Sequence, residues 1–415
     1  MVKKIASPNR VFLFFSLASI FFGFMWIMIT KGEAWNTVLF YNWNDHYMDF
    51  FNHIRYVDSP ENVYNVSMHA CFPAFAYLIY YAMNRMIPAD YMGDGFSIRT
   101  SPYGNMIFLM YMLIVTLMFI WTAKKYLKIK EAEQFMYIVA LLFTVPFLYL
   151  FERGNIVYLV VVLLIMFLML YESDSPVKRE LAIICLAFAA GLKLYPAIFG
   201  VLYIKDRRFK EAARAVIYGI LVFVLPFAFF GGFDGFKQFM TNITQVNEVV
   251  WPEGCFNSLV HTVILIGYKL GIATETSIAV GKVLSVVYAI VLLVAAFFQK
   301  SKWKTYALLS GIMIWFPMWS GSYTITYMAI PLLAFASENE STEKRKGIDY
   351  VYAVLFAGIF SLIVINSKWC LKLCGYHLTV ALRYVAMVAI FVLIVGEQTA
   401  ELVRYLYNKS NHRFK

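Results

Sequence analysis

Residues 72–87, FPAFAYLIYYAMNRMI, decide how the whole chain is threaded. The run is apolar enough to be taken for a membrane crossing, yet Pro73 and Pro88 bracket it and it carries Asn84 and Arg85. If it crossed, Lys124, Lys125, Lys128 and Lys130 would fall on the outer side and every later basic cluster would invert with them. Read as an interfacial or re-entrant helix, it leaves seven basic clusters on one face. That face is the cytoplasmic one under the rule that short inward loops hold the excess of Lys and Arg.

Working outward, the chain reads as an all-α polytopic membrane protein. Of its 415 residues 61% are hydrophobic and 15% charged, against about 25% charged in soluble domains. The uncharged runs 11–30 and 101–123 are long enough to cross about 30 Å of hydrocarbon as helix, and no alternating barrel pattern is present. Further apolar segments at 135–150, 156–171, 181–192, 195–204, 215–230, 278–298, 306–319, 323–335, 351–365 and 378–395 bring the expectation to about 12 transmembrane helices with both ends inside. The segment 257–270 reads as a span or as a second interfacial piece. Residues 11–30 follow a basic start and exceed the apolar core of a signal peptide, so they are expected to remain as an anchor.

The chain is expected to be one integral-membrane unit over 1–415, with an outer segment 31–100 inside an N-terminal half 1–235 and further helices over 236–415. The net charge of +11 resides in short loops between apolar runs. No basic stripe interleaved with stacking aromatics occurs, so no nucleic-acid partner is expected. The five cysteines have no zinc or haem spacing. Cys71 with Cys255, or Cys370 with Cys374, would pair on an oxidising side, and buried inert thiols explain them equally well.

The first outer segment contains the stretch 41–73, YNWNDHYMDFFNHIRYVDSPENVYNVSMHACFP. It carries Asp45, His46, Asp49, His53, Asp58 and His69, ionisable groups that beside a bilayer are usually functional. Asp49, between Met48 and two phenylalanines, reads as a general base whose pKa is raised by partial desolvation, or as a helix cap or a partner of Arg55. Asp45 lies four residues earlier, on the same face if the segment is helical, and is the possible second carboxylate. His46 and Asp49 could meet at i, i+3. The histidines do not form a metal-ligand spacing, and no metal is expected.

Glu152, Arg153, Lys193 and Arg85 are the other external or membrane-level charges. The cations among them could hold a phosphate, Arg by a bidentate fork and Lys as a point charge, or could snorkel to headgroups. No Walker A loop or Rossmann glycine pattern is present, so the substrate phosphate would belong to a lipid rather than a nucleotide.

Several of these stretches resemble glycosyltransferase family 87, of GT-C fold, which includes bacterial polyprenyl-phosphate-mannose-dependent mannosyltransferases. Met48-Asp49-Phe50, Pro60 to Tyr64 and Phe72-Pro73-Ala74 resemble its Asp-Phe … Pro-Tyr … Tyr-Pro-Pro progression. Arg153-Gly154-Asn155 resembles its Gly-Gln-x-Asn motif. Gly191-Leu192-Lys193-Leu194-Tyr195-Pro196, with KDRRF after it, is similar to its Leu-Lys-Pro … Arg-Arg element, and Phe256-Asn257-Ser258-Leu259 to Asn-Gln-Ser-Leu. The resemblance spans roughly residues 40–335. It departs at Trp319-Ser320-Gly321-Ser322-Tyr323, where many members have Ser-Trp-x-His-His; Tyr323 or Tyr327 could supply the missing hydrogen bond, and His261 is a poor substitute.

The resemblance implies an inverting transferase. Asp49 would deprotonate a hydroxyl of a cell-envelope glycan or glycolipid, which attacks the anomeric carbon of a polyprenyl-phosphate sugar. Arg153 and Lys193 would hold the leaving phosphate, and Asn155, Tyr195, Glu253, Asn257 and Tyr323 would contact donor or acceptor. The expected place is the outer face of a bacterial plasma membrane, amid membrane lipids, in polysaccharide biosynthesis, with no cofactor. The alternative is a transporter or flippase of lipid-linked sugars. A ligase moving a whole oligosaccharide would use the same site logic.

Overall fold

The computed structural model describes residues 7–39, 42–248, 257–341, 347–364 and 378–413. Among these there is no strand; the molecule is a bundle of helices. Five helices are long and apolar enough to cross a membrane: Pro8–Ile29, Pro102–Tyr126, Phe209–Ala228, Thr274–Phe298 and Val380–Lys409. Glu131–Leu142 and Val145–Arg153 make a sixth if taken as one span bent by 55°. Pro146 follows immediately after the second helix begins and supplies the cause of the break, because it has no N–H to continue the ladder.

The sequence reading counts about 12 spans, and the difference has a plain origin. Apolar runs that look continuous in sequence end early as helix. Val157–Tyr171 has 15 residues and Gly347–Ile359 has 13, about 22 and 20 Å at 1.5 Å per residue. The run after Lys193 divides into a 3₁₀ segment, Tyr195–Gly200, and the single turn Val201–Lys205. The region 323–335 likewise opens as a 3₁₀ segment, Ser322–Met328, before Ala329–Ser341.

Helices apolar on all sides take the centre. Val157–Tyr171 is buried around most of its circumference, and Lys302–Trp315 almost completely. Phe209–Ala228 and Thr274–Phe298 present Val216, Ile220, Leu225, Val283, Val287 and Val294 outward. An apolar exterior of that extent suits contact with lipid tails.

The deciding stretch folds as Ala74–Asn84, a helix of 11 residues that starts at Pro73. At about 16 Å it covers only half the hydrocarbon thickness. Arg85 closes it and donates to the Asp58 carbonyl at 3.1 Å. The helix is too short to meet the length of a membrane span. In keeping with that threading, the basic loops meet at one end of the bundle. Lys124 pairs with Glu131 at 2.6 Å and Lys302 with Glu172 at 2.6 Å. Lys205 donates to the Gln299 carbonyl at 2.6 Å and to Thr305 at 2.8 Å.

The segment 41–73 lies at the opposite end, where Met48–Tyr56 packs against Ala74–Asn84. An amphipathic helix, Gly232–Glu248, is tied to it through Asn242. That side chain donates to the carbonyls of Tyr64 at 2.8 Å and Ala70 at 3.0 Å. Cys71 and Cys185 are free thiols, whereas Cys255, Cys370 and Cys374 lie outside the described residues.

Candidate functional site

The site forms where the segment 41–73 meets the turn after Val145–Arg153. Trp43–Asp45 is a 3₁₀ turn, and Tyr47, at φ 60°, redirects the chain into Met48–Tyr56. Asp45 and Asp49 are therefore not on one continuous helix face as the sequence spacing suggested. The left-handed residue between them brings them together instead. Arg99 holds the turn from behind: it is buried, donates to the carbonyls of Trp43 at 2.7 Å and His46 at 3.0 Å, and stacks over Phe96.

The facing turn is Glu152-Arg153-Gly154-Asn155. The Glu152 carbonyl accepts from the Tyr47 N–H at 2.7 Å, which joins the two turns through backbone. His46 turns towards the Glu152 carboxylate at 3.8 Å rather than towards Asp49. Arg153 forks onto both aspartates, one terminal nitrogen donating to Asp45 and the other to Asp49. Asn155 donates to the second oxygen of Asp49 at 2.8 Å, while its own oxygen accepts from the Val157 N–H at 3.1 Å. One asparagine thus starts the central helix and orients the carboxylate.

Gly154 is what lets this turn exist. Its φ is 63°, and a Cβ added there would come within 2.8 Å of Phe50 Cβ and 2.9 Å of the Phe108 ring. Gly154→Ala is expected to cost about 1–3 kcal/mol from left-handed strain and overlap. Because the residues on either side hold Asp49, it should also lower activity; thermal melting and a transfer assay of the variant check both.

Asp49 keeps about a fifth of its side chain exposed. Burial by itself would raise its pKa, but the charge of Arg153 and the hydrogen bonds from Arg153 and Asn155 prevail and hold the carboxyl below the ordinary aspartate range. The raised value expected from the sequence is not found, because the ion partner is Arg153 rather than the distant Arg55. The group is a persistently ionised carboxylate with free lone pairs.

Lys193 follows the last residue of Pro176–Leu192, where the backbone turns extended, φ −145°. Its ammonium lies 4.7 Å from the Phe72 ring centroid and 5.7 Å from that of Tyr323. Among the described residues it has no ion pair or hydrogen bond. Arg153 is engaged by two carboxylates, so Lys193 is the more available of the two expected phosphate-binding cations. Arg85 is not brought to the site.

Tyr323 enters on the 3₁₀ turn Ser322–Met328, within electrostatic reach of Asp49, Arg153 and Tyr195. Tyr195 is about two-fifths exposed. Tyr327 is buried and its hydroxyl has no partner among the described residues. Asn257 is buried, and its N–H donates to the Ser320 carbonyl at 2.6 Å, which joins it to the same turn. Its amide Nδ2 has no partner among the described residues. His261 is buried in Leu259–Lys269, away from solvent. Glu253 lies outside the described residues.

Two histidines gain roles that spacing did not reveal. The ring of His69 stands 6.2 Å from that of Trp319, so an imidazole approaches the turn whose own sequence has none. Residue order gives no signal for this, since 250 positions separate the two. His53 is stacked on Phe72 at 4.0 Å and shares a hydrogen bond with the Tyr77 hydroxyl at 3.1 Å. Burial pushes its imidazole down to about 3.

His53 is therefore neutral in the fold from about pH 3 upward and charges near 6.5 when unfolded. Its contribution is fully present above pH 6.5 and fades as pH falls towards 3, by about 1.4 kcal/mol per unit. Melting of wild type against His53→Gln over pH 7 to 4 is expected to show a shallower acid loss in the variant.

A family model, glycosyltransferase family 87, matches residues 96–321. Neither the curated proteins nor the solved structures gave a match. The matched stretch includes Arg153, Asn155, Lys193, Tyr195 and Asn257 and ends two residues before Tyr323, while Asp45 and Asp49 precede it. Since that match covers more than half of a helical, membrane-type chain, the protein belongs to glycosyltransferase family 87.

Proposed function

We propose that this glycosyltransferase moves a sugar from a polyprenyl-phosphate donor to a hydroxyl of a cell-envelope glycan or glycolipid, with inversion, at the outer face of the plasma membrane. The observation that carries the reading is the pairing of an ionised, partly exposed Asp49, clamped by Arg153 and Asn155, with an ammonium at Lys193 that has no anionic partner among the described residues. A base and an unpaired cation on one side of the bundle match the two ends of a displacement at an anomeric carbon.

In this reading the acceptor oxygen forms its bond to the anomeric carbon as the bond from that carbon to the phosphate oxygen breaks. The hydroxyl proton passes to Asp49, and the lipid phosphate leaves with the electron pair and meets Lys193. A carboxylate of low pKa takes the proton late, once the attacking hydroxyl oxygen has gained positive charge from the new bond and its proton has become acidic. Asp45 supports Asp49 by sharing Arg153. Tyr195, Asn257 and Tyr323 line the sugar. In this reading the fold is GT-C, and the short helices Met48–Tyr56 and Ala74–Asn84 serve as the juxtamembrane helices of the first outer segment. The lipid tail lies between them and the spans, and no cofactor takes part.

Purified protein supplied with radiolabelled polyprenyl-phosphate sugars and envelope extracts is expected to label the acceptor fraction. Nucleotide sugars alone should give no product. Transfer from a nucleotide sugar in purified protein free of polyprenyl phosphate would sink the donor assignment.

A further inference from the structure

At the end of the bundle remote from Asp49, a crevice of about 690 Å³ opens between the helices. It is separated from the site by the length of Val157–Tyr171, about 22 Å. Asn155 stands at one end of that helix, while Leu168 and Leu170 at the other end line the crevice.

The lining is of two kinds. Trp121, Leu168 and Leu170 make an apolar wall, and Trp121 is half exposed on the bundle surface. Lys125, Lys128, Lys178 and Lys302 form the rim. Two carboxylates are also present, but both are already satisfied. Glu172 pairs with Lys302 at 2.6 Å. Glu338 accepts from the Trp303 N–H at 2.7 Å and the Ser301 hydroxyl at 2.9 Å. Lys125 and Lys128, at and just past the end of Pro102–Tyr126, and Lys178, at the start of Pro176–Leu192, have no ion pair among the described residues.

Like charges drawn to one concavity repel one another unless an anion sits among them. Neighbouring basic groups on these loops have carboxylate partners. Arg179, next to Lys178, pairs with Glu211 at 3.3 Å, and Lys124, next to Lys125, pairs with Glu131. Lys125, Lys128 and Lys178 all line the crevice, beside a wall that suits an acyl chain.

We propose that this crevice is a second binding site, for a phosphate-bearing anion, separate from the catalytic centre. The phosphate would lie among Lys125, Lys128 and Lys178. Two sources carry that chemistry: the headgroup of an anionic phospholipid, with its chain along Trp121 and Leu168, and free phosphate. Basic pockets between membrane helices commonly take such headgroups. The inference does not depend on the donor or acceptor of the transfer reaction.

The test uses the full chain in detergent, titrated with phosphatidylglycerol, phosphatidylcholine or inorganic phosphate. Lipid retention is read by native mass spectrometry and stability by thermal melting. Phosphatidylglycerol is expected to be retained and to raise the melting temperature where phosphatidylcholine does neither. Stabilisation by inorganic phosphate at millimolar concentration, with displacement of the lipid, would name the free anion as an equal occupant; no effect of phosphate would name the lipid. Lys125→Gln/Lys128→Gln/Lys178→Gln should weaken retention by more than ~10-fold, since each cation near an anionic surface contributes roughly a factor of five. Lys210→Gln/Lys300→Gln/Arg404→Gln removes the same charge from exposed positions outside the crevice and should leave retention near wild type. Equal retention of the two lipids with no effect of phosphate, or equal loss in both triple variants, would overturn the site in favour of diffuse surface charge.

Discussion

Asp49→Asn is expected to lower transfer by about 10²- to 10⁴-fold, the usual contribution of a positioned general base. The substitution keeps the shape of the side chain and its hydrogen bond from Asn155, to which the amide oxygen can still accept. What it removes is the charge that Arg153 balances and the ability to take a proton. Arg153 retains Asp45, so the guanidinium is not left wholly uncompensated. The loss should therefore appear in kcat and in kcat/KM alike, with donor binding within a few-fold of wild type. Because the Asp49 pKa is lowered, the acid limb of the wild-type rate is expected below the ordinary carboxylate range, with no fall attributable to this group between pH 5 and 7. Equal transfer by Asp49→Asn would move the base to Asp45, which shares the same arginine but is more exposed.

Lys193→Met has the second large effect, about 10²- to 10³-fold, the scale on which removal of one preorganised charge partner slows a reaction. Methionine keeps an unbranched apolar side chain of nearly the same length while removing the ammonium that lies over Phe72 and Tyr323. If the ammonium meets charge that grows on the departing phosphate, kcat falls more than donor affinity. A variant that binds donor poorly but turns over normally once saturated would instead make Lys193 an anchor for the ground-state phosphate. Melting temperatures of both variants, read beside the rates, separate either effect from misfolding.

How much of this was legible in sequence differs by scale. The helical membrane class followed from composition, and charge bookkeeping over distant loops led to the expectation that 72–87 is a short, non-crossing helix. The short helix Ala74–Asn84 and the gathered basic loops agree with that threading. The number of spans was not legible. Apolar runs do not announce where hydrogen bonding changes from α to 3₁₀, as at Tyr195 and Ser322. Asp49 was visible as one candidate, and Arg153 and Asn155 as others, about 100 residues further along the chain. Their convergence depends on two left-handed residues, Tyr47 and Gly154, which only a three-dimensional description reveals. The direction of the Asp49 shift was misjudged for the same reason: burial is readable from flanking phenylalanines, whereas a cation supplied from position 153 is not. His69 beside Trp319 is a contact of the same long-range kind.

The measurement that bears most directly on a single displacement at Asp49 is the anomeric configuration of the product. A donor of defined linkage, such as a β-linked polyprenyl-phosphate sugar, would be turned over by purified protein and the new glycosidic bond assigned by its NMR coupling constants. One attack by an Asp49-activated hydroxyl predicts the α-linked product. A β-linked product would require two displacements and a covalent or ion-paired intermediate, and would contradict the role of Asp49 as the base of one direct transfer.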